Sequence, residues 1–193
     1  MAVQHSDITD ALGRHEPKGA DTASSGDIYV SDGAASGAWK TGAGQHYADL
    51  YISSGATTQA LSAASAYARL DPGTEWKLNT ANGLSTTIAD GTITLTNAGV
   101  YLVEFWITFT TAALAAGTLY SFKYAIDGTP VARVLTVQKN TAGADRLTCA
   151  AQGLATVTAG QVLSIYVAGD GTSSGTNITV NDAGLTAVLL KEA

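Results

Sequence analysis

The chain has 193 residues and a net charge of -6, and only 13% of its residues are charged, against about 25% in an average soluble domain. That length suffices for one domain with a proper core plus an appendage. Basic residues number three against six acidic ones in residues 1–45 and seven against ten in the rest, which argues against nucleic acid and anionic membranes as partners because both attract clustered Lys and Arg.

Residues 1–45 form a polar, glycine-studded arm with few large apolar side chains. Residues 6–13 predict one capped helical turn, and residues 27–33 predict a short strand that ends in a turn. Residues 33–44 are rich in Ala, Ser and Gly. Such a segment cannot bury enough surface to offset its ordering entropy. We therefore expect the arm to be disordered or to be ordered against something else.

Four apolar side chains of the arm are candidates for attachment to another surface: Ile28, Tyr29, Val30 and Trp39. A lone tryptophan in a segment of small residues favours an anchor that enters a pocket. The first 20 residues contain three acids and no apolar segment, so no signal peptide is visible. No run reaches the 18 or so apolar residues of a membrane span. We expect synthesis and folding in a cytosol.

Residues 46–193 predict an all-β body. The alternation of apolar and polar residues predicts strands at 47–52, 76–78, 86–88, 92–96, 100–109, 119–126, 131–137, 147–157, 161–168, 177–181 and 185–191. Residues 56–70 are compatible with a helix or with extended structure, and we favour extended structure. Turns are predicted at Asp90-Gly91, Asp127-Gly128 and Ala159-Gly160. Regular spacing of turns without a helix is typical of a β-sandwich or jelly roll.

The strand at 100–109 is apolar on both faces. Side chains two residues apart share a face, so Tyr101, Val103, Phe105, Ile107 and Phe109 are predicted to be core. The opposite face carries Val100, Leu102, Glu104 and Trp106. Exposed apolar patches of this kind mark interfaces. We predict that this face packs against copies of the same chain, with coverage by the chain's own arm as the alternative. Glu104 would then need a partner, for which Lys123 and Arg133 are candidates.

The sequence contains no assembled catalytic set. The single cysteine, Cys149, lies in an alternating strand and is interpreted as a small buried hydrophobe. No Gly-x-Ser-x-Gly elbow, phosphate-binding loop or zinc-type Cys/His spacing occurs. A carboxylate pair of the glycosidase type stays open, because any of the 16 acids can meet in space. Residues 170–177, with Asn181 and Asp182, offer oxygens to Ca2+, although a plain loop is favoured. We predict no enzyme, no cofactor and no metal.

The body resembles C1q/TNF-like jelly rolls. The resemblance is carried by residues 99–105, 122–128, 157–165 and 185–190, which read GVYLVEF, FKYAIDG, VTAGQVLSI and LTAVLL in that order. It spans about residues 47–191. It implies a jelly-roll β-sandwich that assembles as a homotrimer around a threefold axis.

The arm resembles the N-terminal segments of tailed-bacteriophage virion proteins. Residues 15–19, 26–33 and 36–40, which read HEPKG, GDIYVSDG and SGAWK, carry this resemblance. It implies a capsid decoration or head-fibre protein, made in the host cytoplasm and located on the capsid surface. Its arm would bind the major capsid protein or another virion protein, and its jelly roll would project. The alternative is a receptor- or glycan-binding tip module of a tail fibre, which would use the loops at 139–146 and 169–176.

Overall fold

The computed structural model describes residues 27–31, 37–41, 46–61, 66–71, 73–113, 115–169 and 177–193. The chain divides into two compact units, residues 1–45 and residues 46–193. The predicted helical turn at 6–13 and the loop at 170–176 lie outside the described residues.

The described part of the first unit is an antiparallel pair of strands. Strands β1 (Asp27–Ser31) and β2 (Gly37–Thr41) pair so that Tyr29 is opposite Trp39 and Ile28 is opposite Lys40. The strand predicted at 27–33 is confirmed for 27–31. Residues 37–41, for which the sequence predicted no regular element, form strand β2. Gly and Ala have weak strand propensity. Here the strand is stabilised by its hydrogen bonds to β1.

The second unit is built from two antiparallel sheets. The first, called the β9 sheet, has the order β13-β9-β15-β3-β6, with β4 paired to β15. Its strands are β3 (Tyr47–Ile52), β4 (Thr58–Ala60), β6 (Lys77–Asn82), β9 (Gly99–Thr111), β13 (Arg146–Val157) and β15 (Asn177–Glu192).

The second sheet, called the β14 sheet, has the order β11-β10-β14-β8-β7, with β12 paired to β10 and β5 paired to β14. Its strands are β5 (Ala68–Arg69), β7 (Ser85–Thr87), β8 (Thr92–Leu95), β10 (Leu119–Ile126), β11 (Thr129–Pro130), β12 (Leu135–Gln138) and β14 (Gln161–Gly169). Short 3-10 turns occur at Gly73–Glu75 and Ile88–Asp90. The described residues contain no α-helix.

The core lies between the two sheets and follows the predicted alternation. Phe109 on β9 packs edge-on against Tyr120 and tilted against Phe122 on β10, with ring centroids 5.4 and 5.1 Å apart. All five residues predicted as core on β9 are 0–2% exposed: Tyr101, Val103, Phe105, Ile107 and Phe109. The period of two therefore identified the core face of β9 correctly.

Three strand predictions need correction. The strand expected at 76–78 begins at Lys77, and the fully buried Trp76 precedes it. The strand expected over 131–137 forms only from Leu135 onward, as β12, and residues 131–134, which follow β11, are outside any strand. The strands expected at 177–181 and 185–191 are the single strand β15. Bulges between Val180 and Asp182 and between Leu189 and Lys191 keep it in register with β9.

Candidate interaction surfaces

The β9 sheet presents an apolar outer face away from the core. Leu102 on β9 lies between Leu154 on β13 and Val188 on β15, which are its direct cross-strand partners. Leu154 is 63% exposed, and Leu102 and Val188 are half-buried. Two further apolar residues lie next to this row. Val100 on β9 is half-buried, and Leu190, in the second bulge of β15, is 48% exposed. These residues, together with Trp106, are called the outer face below.

Trp106 is 38% exposed and lies over a glycine on the neighbouring strand. Gly184 is its cross-strand partner on β15, and a Cβ atom at Gly184 would collide with the Trp106 indole ring. The absence of a side chain at Gly184 thus allows the large ring to lie against the sheet. On the other side of Trp106 is Ala150 of β13, which is also small. The ring is held as a broad apolar surface that faces outward.

A polar row crosses the same face beside the apolar row. Glu104 is exposed and lies between Gln152 on β13 and Thr186 on β15. The Thr186 hydroxyl donates a hydrogen bond of 2.8 Å to the Asp49 carboxylate. In the described part of the chain Glu104 forms no ion pair. The partner expected for it is therefore not supplied by the described residues of its own chain.

The two cations suggested for Glu104 have other contacts. Lys123 belongs to β10 in the opposite sheet, where its Nζ lies 4.7 Å from the centroid of the Tyr67 ring. Arg133 donates a hydrogen bond of 3.1 Å from Nη1 to the backbone oxygen of Gln152, which is the strand neighbour of Glu104.

The four candidate attachment residues lie on the hairpin of the first unit. Ile28, Tyr29 and Val30 are consecutive on β1, and Trp39 on β2 is the register partner of Tyr29. The pairing brings Tyr29 and Trp39 together although ten positions separate them in the chain. Their role in attachment stays a prediction.

The loop at 139–146, suggested for ligand binding, is tied down by its own polar groups. The Lys139 side chain is 0% exposed, and its Nζ donates to the backbone oxygen of Gly143 and lies 3.7 Å from an Asp145 carboxylate oxygen. The Asp145 carboxylate also accepts the backbone N–H groups of Asn140 and Thr141 at 2.9 and 3.0 Å. Hydrogen bonding from Thr141 is the main cause that lowers the pKa of Asp145.

Cys149 has the environment of a structural residue. It is 7% exposed on the inner side of β13, and burial raises the pKa of its thiol to about 12. The interpretation as a small buried hydrophobe is confirmed. A thiolate is the reactive form, so almost none is present near neutral pH.

Asn181 and Asp182, suggested as calcium ligands, are engaged within the sheet. Asn181 accepts a hydrogen bond from Thr110, and Asp182 pairs with Arg146 at 2.8 Å. No group of three or more His, Cys, Asp or Glu side chains is placed to hold a metal ion in the described ranges. Within those same ranges no helix has the length and apolar character needed to cross a membrane.

A cleft opens between the two sheets at one side of the sandwich, and the sequence did not indicate it. It has a volume of about 190 Å3. Its lining residues are Phe105, Phe122, Tyr124, Arg133, Val134, Leu135, Ala151 and Gln152. The cleft lies beside residues 131–134, where the strand pairing is interrupted. This interruption can be recognised only once the pairing partners of the strand are known.

Comparison with solved structures places the fold. The globular domain of zebrafish complement 1qA protein is 14% identical, with a TM-score of 0.48, and the match covers 77% of this chain and 99% of that one. The Eiger TNF of S. frugiperda is 14% identical, with a TM-score of 0.50, and the match covers 77% and 95%. Neither a protein-family model nor a curated protein matches the sequence. The two-sheet sandwich together with the likeness to the Eiger TNF shows that the chain contains a jelly-roll β-sandwich of the C1q/TNF-like fold.

Proposed function

We propose that this protein is a structural module of a bacteriophage particle. Its jelly-roll body assembles as a homotrimer through the outer face of the β9 sheet and projects from the capsid surface. Its N-terminal arm attaches the trimer to the major capsid protein or to another virion protein. The proposal assigns no catalytic role.

The observation that carries the proposal is the second apolar face of β9. The inner face of that strand already supplies the core, so folding does not require Leu102 and Trp106 to be apolar as well. Leu154 and Trp106 nevertheless expose 63% and 38% of their surface. Burial of apolar surface stabilises a complex by about 25 cal/mol per Å2. The part of this free energy that exceeds the entropic cost of association determines the affinity. Self-association removes this patch from water.

Two resemblances in the sequence support the proposed trimer and the proposed location on a phage particle. Residues 47–191 resemble C1q/TNF-like jelly rolls, which are built from trimers, and the solved structures share that fold. Residues 15–40 resemble the attachment segments of tailed-phage virion proteins. Glu104 is then expected to meet a cation of a neighbouring subunit, since a charge without a partner in a buried interface is costly.

The test is the solution mass by light scattering, for the full chain and for residues 46–193. We expect three times the chain mass in both, with 19.6 kDa for one full chain. Leu154→Glu should reduce both to monomers, because it places a carboxylate in the apolar patch without disturbing the core. The matched control is Ile88→Glu, which changes a residue of the β7–β8 connection that is 41% exposed and should leave the mass unchanged.

Three outcomes would contradict the proposal in different ways. Monomers in both wild-type proteins would exclude self-association. A trimeric full chain with monomeric 46–193 would assign assembly to the arm. A Leu154→Glu variant that stays trimeric would move the interface to another surface.

A further inference from the structure

The cleft between the sheets exists because the edge of the β14 sheet is interrupted. Strand β11 pairs Pro130 with Ala125, and β12 resumes pairing with Leu135 opposite Phe122. The four residues 131–134 between them are outside any strand, although the Val131 N–H still donates to the Tyr124 carbonyl at 3.0 Å. The side of the sandwich therefore stays open here, and Phe105 and Phe122, which are 2% and 0% exposed, lie at the inner end of the space.

Strand β13 forms the opposite wall of the cleft. Among the described strands it pairs with β9 alone, so one of its edges is free of a ladder. Two side chains from the other side of the cleft reach this edge, one from residues 131–134 and one from β10. Arg133 donates to the carbonyl oxygen of Gln152 at 3.1 Å, and the Tyr124 hydroxyl donates to that of Leu154 at 3.3 Å. These bonds hold the two walls at a set distance.

The cleft has an apolar interior and a cationic rim. Val134, Leu135 and Ala151 line the inside in front of the buried aromatic residues, whereas Arg133 and Gln152 are exposed at the mouth. None of the lining residues is acidic, although the chain as a whole carries a charge of -6. The mouth thus has local positive charge that no lining carboxylate neutralises.

Arg133 has hydrogen-bond donors that its contacts with the described residues do not use. A guanidinium has five N–H donors in a planar fork. Among the described residues, the bond from Nη1 to Gln152 is the hydrogen bond that Arg133 makes, and it takes part in no ion pair. That bond holds Nη1 at the mouth, and the remaining donors can bind a carboxylate with two parallel hydrogen bonds.

We propose that this cleft binds a small aromatic carboxylate, with the ring between the sheets and the carboxylate on Arg133. The volume of about 190 Å3 suits one ring, because an apolar cavity of about 150 Å3 binds benzene. Pockets of this kind are apolar with a few placed polar groups. The apolar lining favours the ring, and the guanidinium favours the negative charge. The site does not depend on the proposed trimer.

The test is isothermal titration calorimetry of the full-length protein with 3-phenylpropionate. We expect saturable binding of one molecule per chain. The uncharged analogue 3-phenyl-1-propanol should bind about tenfold more weakly, since hydrogen bonds to a charged group are worth more than neutral ones. Equal affinity for the acid and the alcohol would overturn the role of Arg133, and absence of saturable binding would overturn the site.

Three variants locate the binding. Arg133→Gln should weaken binding of the acid about tenfold and leave the alcohol unchanged. Ala151→Leu adds volume inside the cleft and should weaken both ligands while Arg133 is retained. The matched control Arg146→Gln changes an arginine of β13 that pairs with Asp182 instead, and it should bind the acid like wild type. Wild-type affinity in both Arg133→Gln and Ala151→Leu would refute the assignment.

Discussion

At the scale of single residues, Lys139 and Asp145 show how the body holds a loop without a regular element. A buried ammonium requires a partner because its desolvation is costly, and Asp145 lies 3.7 Å from it. The same carboxylate accepts backbone N–H groups of Asn140 and Thr141. The Thr141 hydroxyl also donates to it, and this hydrogen bond is the largest cause of the lowered pKa of Asp145, followed by the backbone bonds and the charge of Lys139.

This lowered pKa predicts a loss of stability in acid. A carboxyl whose pKa is lower in the folded state stabilises the fold above its unfolded pKa, and this contribution disappears as the pH falls through the folded value. The free energy of unfolding should decrease as the pH drops below about 4. Urea unfolding at pH 7, 5, 4 and 3 measures it. Asp145→Asn should show a shallower decrease than wild type, and parallel curves would contradict the assignment.

The sequence predicted some residues of the outer face and missed others. The outer face was predicted at Val100, Leu102, Glu104 and Trp106 because alternation along one strand assigns side chains to faces. Leu154, Val188 and Gly184 complete that face, and they were missed. Their contribution depends on which strands are neighbours and in which register, and alternation within one strand carries no information on either.

At the scale of elements, the hairpin between β10 and β11 shows local sequence acting directly. Asp127 and Gly128 have φ values of 49° and 74°, as the two central residues of a type I′ turn require. Asp tolerates positive φ better than most residues. Its carboxylate also accepts the Val162 N–H at 2.8 Å, which ties the turn to β14.

The turn predicts the cost of adding a side chain at Gly128. Gly128→Ala should destabilise the protein by about 1–2 kcal/mol, since a left-handed conformation costs that much for an L-residue. The new Cβ would also lie 3.2 Å from the Tyr166 hydroxyl. Gly143→Ala is the matched control, because its Cβ meets no atom closer than 3.8 Å. Urea unfolding of both variants measures the difference, and equal stabilities would argue against strain at the turn.

Elements that depend on distant pairing were predicted less well. Residues 131–137 alternate like a strand, yet 131–134 leave the sheet between β11 and β12. Residues 177–192 contain Gly184 and polar positions that indicate a break, yet they form one strand. Thirteen of these residues pair with β9, and that ladder overrides weak local propensity.

At the scale of the whole molecule, the two compact units are assigned different tasks. The body carries the outer face, and residues 1–45 carry Ile28, Tyr29, Val30 and Trp39, which are proposed for attachment. The division of the chain between residues 45 and 46 allows each task to be tested by itself.

The division predicts that attachment requires the arm. Particles that lack this protein should bind the full chain and fail to bind residues 46–193, as measured by co-sedimentation with the particles. Trp39→Ala in the full chain should weaken attachment while the solution mass of the protein stays unchanged. Binding of residues 46–193 as tight as that of the full chain would remove the arm's assigned role.

The sequence by itself determined the all-β class, the core face of β9, the Asp127-Gly128 hairpin and the buried state of Cys149. These follow from side-chain period, turn chemistry and hydrophobicity, which are local properties. The tertiary structure alone decided the completed outer face, the Trp106–Gly184 contact and the cleft at Arg133. These depend on the order and register of strands far apart in the chain, and long-range pairing is set by the combined burial of both sheets.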